Sequence, residues 1–248
     1  MNTTQHDWFP RAHAFPRLYS CLDTETQARL ADWGFSIATL TEKKSPNSNG
    51  SNPYQQQQNN LHFGMMRDGL GVAFAIQQDR PSCLVALTRI AEQAAISDQK
   101  SMPQRDRVIA IEANLILLSC GLPMDDSIDF AFRQLPNEIQ LDSFEALLLR
   151  QLFYGNRIAF QTLAQEVEIR IESANNGEPC RSILWHKLET MRCLQQREYA
   201  CLFEHLTAYG TFRNQYFCEY PQEIYRRDLF DFFLHGALAW ASILGILP

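Results

Sequence analysis

The chain has 248 residues, a length that suits one large domain or two small ones and that needs neither a metal nor a disulfide to fold. Hydrophobic residues make up 46% of it and charged residues 20%, a balance that excludes wholesale disorder. The net charge of −6 argues against non-specific nucleic-acid binding, which requires a basic surface. An acidic chain suits a basic protein partner.

The first predicted elements are an arm and a short helix. Residues 9–22 are aromatic and interrupted by prolines, which favours an extended arm packed on the body. Residues 23–35 carry apolar residues at helical spacing. Asp23 or Thr24 can cap this helix, because both side chains accept hydrogen bonds from the first free backbone amides.

A polar run follows at residues 45–60, which read SPNSNGSNPYQQQQNN. It has no charged residue and one aromatic residue, so it cannot offset its ordering entropy by burial. The sequence therefore predicts a mobile loop there. This loop divides an N-terminal arm with its short helix, residues 1–44, from a helical domain, residues 61–248.

Helical periodicity dominates the rest of the chain. Apolar residues recur at three- and four-residue spacing, with prolines at helix starts and glycines at helix ends. No bounded β-branched run alternates with period two, so no strand is predicted. The fold class is predicted to be all-α. The predicted helices span residues 61–78, 81–94, 103–118, 125–135, 142–153, 158–171, 183–196, 198–217 and 225–244, and Asp142 is the expected cap of the fifth.

Two stretches have the same shape. Residues 144–167 and 185–209 each contain an apolar helix, a tight polar turn and a second apolar helix, offset by about 42 residues. Antiparallel helix hairpins that stack in this way build α-solenoids. We therefore expect a single α-solenoid-like domain of stacked antiparallel hairpins rather than a four-helix bundle.

The stretch at residues 229–247 is apolar enough to be considered as a membrane anchor. It contains Asp231 and His235, and an acidic residue at the centre of a bilayer costs roughly 2.5–3.5 kcal/mol. A buried C-terminal helix is therefore predicted, with no contact to a membrane. The side chains expected to be buried in it are Phe233, Trp240 and Leu244.

The seven cysteines are odd in number, widely spaced and free of C-x-x-C motifs. Secreted disulfide frameworks have even counts and short spacings, and the first sixteen residues lack the apolar core of a signal peptide. We expect reduced cysteines and a cytoplasmic location. Cys201 and His205 share a helix face near Cys193, but a structural zinc site usually takes four ligands, so no metal site is predicted.

The motifs of dinucleotide, phosphate, hydrolase and zinc-protease sites do not occur in the chain. We therefore predict no cofactor and no catalytic residue.

The densest group of interaction-prone residues is the aromatic–arginine segment, residues 212–227, with five aromatics, three arginines and two glutamates. Tyrosine and arginine are enriched at binding hot spots; alternatively, these aromatics attach the last helix to the body. The candidate partner-binding residues are Arg213, Tyr216, Glu219, Tyr220, Glu223, Tyr225 and Arg226.

The C-terminal part of the chain resembles the helical immunity proteins of bacterial polymorphic-toxin systems, in particular the family called immunity protein 49. The resemblance covers less than half of the chain and depends on the spacing of short motifs. They are FEAL at residues 144–147, FYGN at 153–156, MRCLQQREY at 191–199, LFEHL at 202–206, RNQY at 213–216 and ALAWASILGI at 237–246.

This resemblance implies a non-catalytic protein that binds and neutralises a cognate antibacterial toxin in interbacterial competition. The implied partner is a protein, not nucleic acid or a membrane, and the oligomeric state is left open. The competing interpretation is a helical-repeat scaffold or adaptor that binds a protein or peptide, and a third is a small-ligand or haem-type helical enzyme. Genomic neighbours separate the first two, since an immunity gene lies directly downstream of a toxin gene.

Overall fold

The computed structural model describes residues 8–34, 36–42, 53–96, 104–122, 127–135, 137–175 and 177–246, and every regular element in these ranges is a helix. The all-α prediction is confirmed. The helices are α1 (Trp8–Ala12), α2 (Leu18–Cys21), α3 (Thr24–Ala31), α4 (Ile37–Glu42), α5 (Pro53–Val72), α6 (Arg80–Ile96), α7 (Gln104–Ser119), α8 (Ser127–Gln134), α9 (Phe144–Phe153), α10 (Arg157–Ser173), α11 (Cys180–Gln196), α12 (Tyr199–Glu219) and α13 (Phe232–Ile243).

The short helix predicted after the arm is α3, and its cap is the expected one. The Asp23 side chain accepts a hydrogen bond from the backbone N–H of Thr26 at 2.9 Å. The Gln27 amide donates to the carbonyl oxygens of Tyr19 at 2.9 Å and Leu22 at 3.0 Å. These bonds join α3 to the end of α2.

Two predictions for the N-terminal part are wrong. Residues 9–22 are not extended throughout, because residues 9–12 belong to α1 and residues 18–21 form α2. The polar run is not a loop throughout, because α5 begins at Pro53 and makes residues 53–60 helical. Proline suits the first helical position, and glutamine is a good helix former despite its low apolar content. Residues 45–52 lie outside the described residues.

Helix α5 ends in a π-helical turn, Ala73–Gln77, after which Gln78 takes a left-handed conformation with φ 52°. Gly71 lies in the last turn of α5 against the backbone of the aromatic–arginine segment. A Cβ atom at position 71 would collide with the carbonyl oxygen of Arg226. The absence of a side chain there lets the segment lie directly on α5.

Consecutive helices pack on one another through most of the fold: α5 on α6, α6 on α7, α9 on α10, α10 on α11 and α11 on α12. The two predicted hairpins are α9–α10 and α11–α12. Their tight turns use left-handed residues, Gly155 at φ 68° and Arg197 at φ 61°. The ends of the chain depart from this sequential order, since α13 packs on α7, α1 on α13 and α2 on α12.

The predicted starts of α9 and of the last helix also differ from those in the structure. Helix α9 has Ser143, not Asp142, at its cap position. The last helix begins at Phe232 rather than at residue 225, because Asp231 is extended and its side chain accepts from the N–H of Leu234 at 3.0 Å. Two short 3-10 helices, Pro221–Glu223 and Arg226–Leu229, precede it.

Helix α13 is a core helix. Phe233 and Trp240 are 5% and 6% exposed, as predicted, whereas Leu244 is only half-buried. Among the residues that the structure describes, no helix combines the length and the apolar character that crossing a membrane requires.

Candidate functional site

Arg213 is the first predicted partner-binding residue, and it faces the interior. Its Nε lies 2.8 Å from Oδ2 of Asp231, and its side chain is 14% exposed. The guanidinium also donates to the carbonyl oxygen of Asp228 and lies 5.0 Å from the ring centre of Phe217. Arg213 therefore joins α12 to the start of α13, and little of its side chain is left exposed to a partner.

Arg226 holds α3 in place. Its Nε donates to the carbonyl oxygen of Leu30 at 2.9 Å, and its Nη2 donates to the carbonyl oxygens of Arg29, at 3.0 Å, and Asp32. The guanidinium lies 5.4 Å from the ring centre of Trp33. These carbonyls end α3, so Arg226 completes the bonding of that helix end and has few donors left for a partner.

The attachment of α3 is reciprocal. Arg29 donates to the carbonyl oxygens of Pro221 and Ile224, each at 3.2 Å. Ile224 is fully buried. Two arginines, one on each side, thus bind the aromatic–arginine segment to the N-terminal arm.

The remaining predicted residues are exposed or half-buried and form what we call the tyrosine–acid surface: Tyr216, Glu219, Tyr220, Glu223 and Tyr225. The Tyr216 hydroxyl donates to Glu223 at 3.0 Å, and this hydrogen bond raises the pKa of Tyr216. The rings of Tyr216 and Tyr220 have centres 5.1 Å apart. The two rings and a carboxylate are thus ordered in advance of any partner.

The other members of this surface are held more loosely. Glu219 accepts from the side chain of Gln215 at 3.1 Å. Tyr225 is 55% exposed, and the guanidinium carbon of Arg227 lies 4.7 Å from the centre of its ring. The structure therefore divides the predicted set into two inward arginines and an outward group of tyrosines and glutamates.

A polar cavity of about 110 Å³ lies under the aromatic–arginine segment. Sequence reasoning missed it. The only available signal was charged residues within apolar helices: Glu112 lies in the apolar run of α7 and Glu145 in that of α9. Its inner lining includes Glu112, Glu145, Lys187, Tyr209, Arg213 and Asp231.

Two carboxyl groups of the cavity have an oxygen without a hydrogen-bond partner among the described residues: Oε1 of Glu112 and Oε2 of Glu145. The other oxygen of Glu145 pairs with Nζ of Lys187 at 2.7 Å. Burial, followed by the charge of Glu145, raises the pKa of Glu112 well above its usual range. Glu112 is therefore a buried carboxyl that retains its proton more readily than an exposed one, and it can donate or accept a hydrogen bond.

Asp231 connects this cavity to the aromatic core. Burial opposes its ionisation, but the charge of Arg213 and the N–H of Leu234 hold its pKa below the usual value. Its Oδ2 accepts from the Tyr209 hydroxyl at 2.9 Å. The carbonyl oxygen of Asp231 contacts Nδ1 of His235, whose pKa burial lowers to about 4.

Helices α11 and α12 carry a separate group of sulfur and nitrogen atoms at their turn. Cys193 and Cys201 are joined by a disulfide, with Cα atoms 5.8 Å apart. The prediction that all cysteines are reduced is wrong for this pair, because the hairpin turn places the two side chains opposite each other. His205 lies beside them: one atom from each of the three side chains falls within 4.8 Å of the others.

The chain was compared with protein-family models, with curated proteins and with solved structures. No family model, curated protein or solved structure matches it. The resemblance to immunity protein 49 therefore stays a prediction, and the function is inferred from the geometry of the chain itself.

Proposed function

We propose that this protein is a non-catalytic immunity protein that binds and neutralises a toxin with a basic surface through the tyrosine–acid surface. The observation that carries the proposal is the pair of adjacent rings, Tyr216 and Tyr220, held beside the carboxylate of Glu223. Tyrosine buries a large area on binding while its hydroxyl keeps a polar partner, which is why it is common at hot spots.

The support beneath this surface favours tight binding. Arg213 and Arg226 bind groups within the fold, so the segment keeps its shape when a partner docks. A preordered surface loses less conformational freedom on association, and more of the contact energy remains as affinity. The tyrosines therefore need little rearrangement to bind.

Charge supports a basic partner. Glu219 and Glu223 lie on the exposed side of the segment, and the whole chain carries a net charge of −6. Opposite charges on two partners speed their encounter more than they strengthen the final complex. A toxin that must be intercepted quickly is the kind of partner that gains from such steering.

The partner is best identified by affinity purification from the native host, followed by mass spectrometry, and by expression of the gene directly upstream. We expect a basic protein whose toxicity disappears when this chain is co-expressed. A captured partner that is not toxic, and whose gene lies elsewhere, would contradict the immunity proposal and favour a scaffold or adaptor.

The surface is tested with two substitutions and matched controls. Tyr220→Ala and Glu223→Lys should each weaken binding of the purified toxin by about 2 kcal/mol or more. Tyr199 is a matched control, since it is 41% exposed and Tyr220 is 42% exposed; Tyr199→Ala and Glu172→Lys should leave the affinity unchanged. Unaltered affinity in both test variants would remove the tyrosine–acid surface from the interface.

A further inference from the structure

We propose that the α11–α12 hairpin, once Cys193 and Cys201 are reduced, binds one thiophilic divalent metal ion, of which Zn²⁺ is the expected example. The ligands are the two thiolates and a ring nitrogen of His205. The site is separate from the tyrosine–acid surface, and it does not depend on the proposed function.

The hairpin places the three ligands together. Cys193 lies in the last turn of α11 and Cys201 in the first turn of α12, across the tight turn at Arg197. Cys201 and His205 are four residues apart, so they share one face of α12. Their ligand atoms and that of Cys193 lie within 4.8 Å of one another.

These distances suit a single ion. Zinc binds thiolate sulfur at ~2.3 Å and imidazole nitrogen at ~2.0–2.1 Å in tetrahedral geometry, so its ligand atoms are roughly 3.5 Å apart. The upper limit of 4.8 Å on the present separations lies close to that spacing. Two sulfurs and one imidazole are soft and borderline ligands, which select zinc over magnesium or calcium.

His186 supplies the support that a metal-binding histidine requires. Its Nδ1 lies 3.0 Å from Nδ1 of His205, so this contact occupies one nitrogen of His205 and leaves Nε2 for a metal. The ring of His186 is itself stacked on Phe212, with centres 5.5 Å apart. Partners of this kind fix the tautomer and the ring orientation of metal-binding histidines.

Access and coordination number also fit. Cys193 is buried, whereas Cys201 and His205 are half-buried, so an ion can enter from one side. Three protein ligands leave a fourth tetrahedral position for water, an arrangement that zinc proteins use. Because the disulfide and the metal use the same two sulfurs, only the reduced hairpin can bind the ion.

The test begins with reduction by a phosphine, which breaks the S–S bond, supplies two electrons and becomes a phosphine oxide, with water providing the oxygen and the two protons. After the phosphine is removed without air, Co²⁺ is titrated into the full-length protein. Each thiol that binds releases its proton. We expect thiolate-to-cobalt charge-transfer absorption and tetrahedral d–d bands that saturate at one ion per chain and disappear when Zn²⁺ is added.

Variants assign the ligands. Cys193→Ser, Cys201→Ser and His205→Gln should each remove the tetrahedral spectrum, and His186→Phe should weaken binding by about 10- to 100-fold while the spectrum keeps its form. Cys180→Ser and Cys218→Ser are matched controls at the far ends of the same two helices, and both should bind as the unaltered protein does.

Two results would overturn the proposal. One is a reduced, folded protein that gives no charge-transfer band with Co²⁺; the other is a band that persists in both Cys193→Ser and Cys201→Ser. Circular dichroism of each variant, recorded without metal, separates loss of a ligand from loss of the fold. If the two serine variants unfold, the half-buried His205→Gln variant decides the outcome alone. Protein with its disulfide intact should give no band.

Discussion

On the inner side of the aromatic–arginine segment, Arg213 and Arg226 each bind backbone carbonyls, and Arg213 also pairs with a carboxylate. On the outer side, Tyr220 and Tyr225 are 42% and 55% exposed. Both sides are built from the residue types that are common at hot spots. The difference teaches that composition identifies a segment that can bind, but only the location of its polar partners says what it binds. Inward groups should control stability, and outward groups should control affinity.

The largest effect is expected from Arg213→Ala. It leaves the carboxylate of Asp231 buried without its cation, which should cost about 3–5 kcal/mol of unfolding free energy. Urea denaturation measures this loss, and Arg181→Ala, at an exposed position, is the control that should change little. A loss below about 1 kcal/mol would place Arg213 on the outer side and break the comparison.

The inner side should also make the protein sensitive to acid. His235 has a folded-state pKa of about 4, below the ~6.5 of an unfolded histidine, so the unfolded chain takes up a proton first as the pH falls. The stabilisation is complete above pH ~6.5 and is lost as the pH falls to ~4, by about 3 kcal/mol. Denaturation midpoints between these pH values measure it. His235→Phe should flatten the curve, and a curve equally steep in this variant would contradict the assignment.

A smaller loss is expected from Arg226→Ala, which removes hydrogen bonds to the last carbonyls of α3. We expect a loss of about 2 kcal/mol and faster amide hydrogen exchange in α3. The neighbouring Arg227 is the matched control, because its guanidinium lies over the exposed ring of Tyr225; Arg227→Ala should cost less than about 1 kcal/mol. Equal losses in the two variants would erase the distinction between the two sides.

The smallest change in stability should come from the outer side. Tyr220→Ala and Glu223→Lys should alter the unfolding free energy by less than about 0.5 kcal/mol even though both weaken toxin binding. Higher salt should slow association with the toxin more than it speeds dissociation, because exposed charges are screened within ~10 Å at 0.1 M. A lowered melting temperature in both variants would mean that these residues hold the last helix.

Local patterns predicted the helices well because each depends on residues a few positions apart. The apolar spacing of α7, the cap at Asp23 and the turn at Gly155 can all be derived from short stretches. The start of α5 was missed because low apolar content indicated a loop, whereas the helix propensity of glutamine and the place of Pro53 decided otherwise.

The sequence could not predict which residues of the segment face inward and which face outward. Arg213 and Tyr216 are three residues apart on α12, and what separates their roles is the carboxylate of Asp231, the residue that caps α13 and pairs with Arg213. The same holds for Glu145, whose cation is Lys187, 42 residues further along the chain. Pairings at such separations leave no local pattern in the sequence. Composition could therefore predict which segment is able to bind, whereas only the fold shows which of its residues face inward and which face outward.

The attachment of the N-terminal arm has a consequence for synthesis of the chain. The arm packs on elements that lie far along the chain, and the contact from Arg226 to Arg29 spans 197 residues. At the ribosome's rate of ~5–20 residues per second, the arm waits roughly 10–40 s for this partner. Helices α1, α2 and α3 are thus synthesised well before the elements on which they dock. During that interval the apolar side chains of the arm, Leu30 among them, are open to chaperones, proteases and other nascent chains.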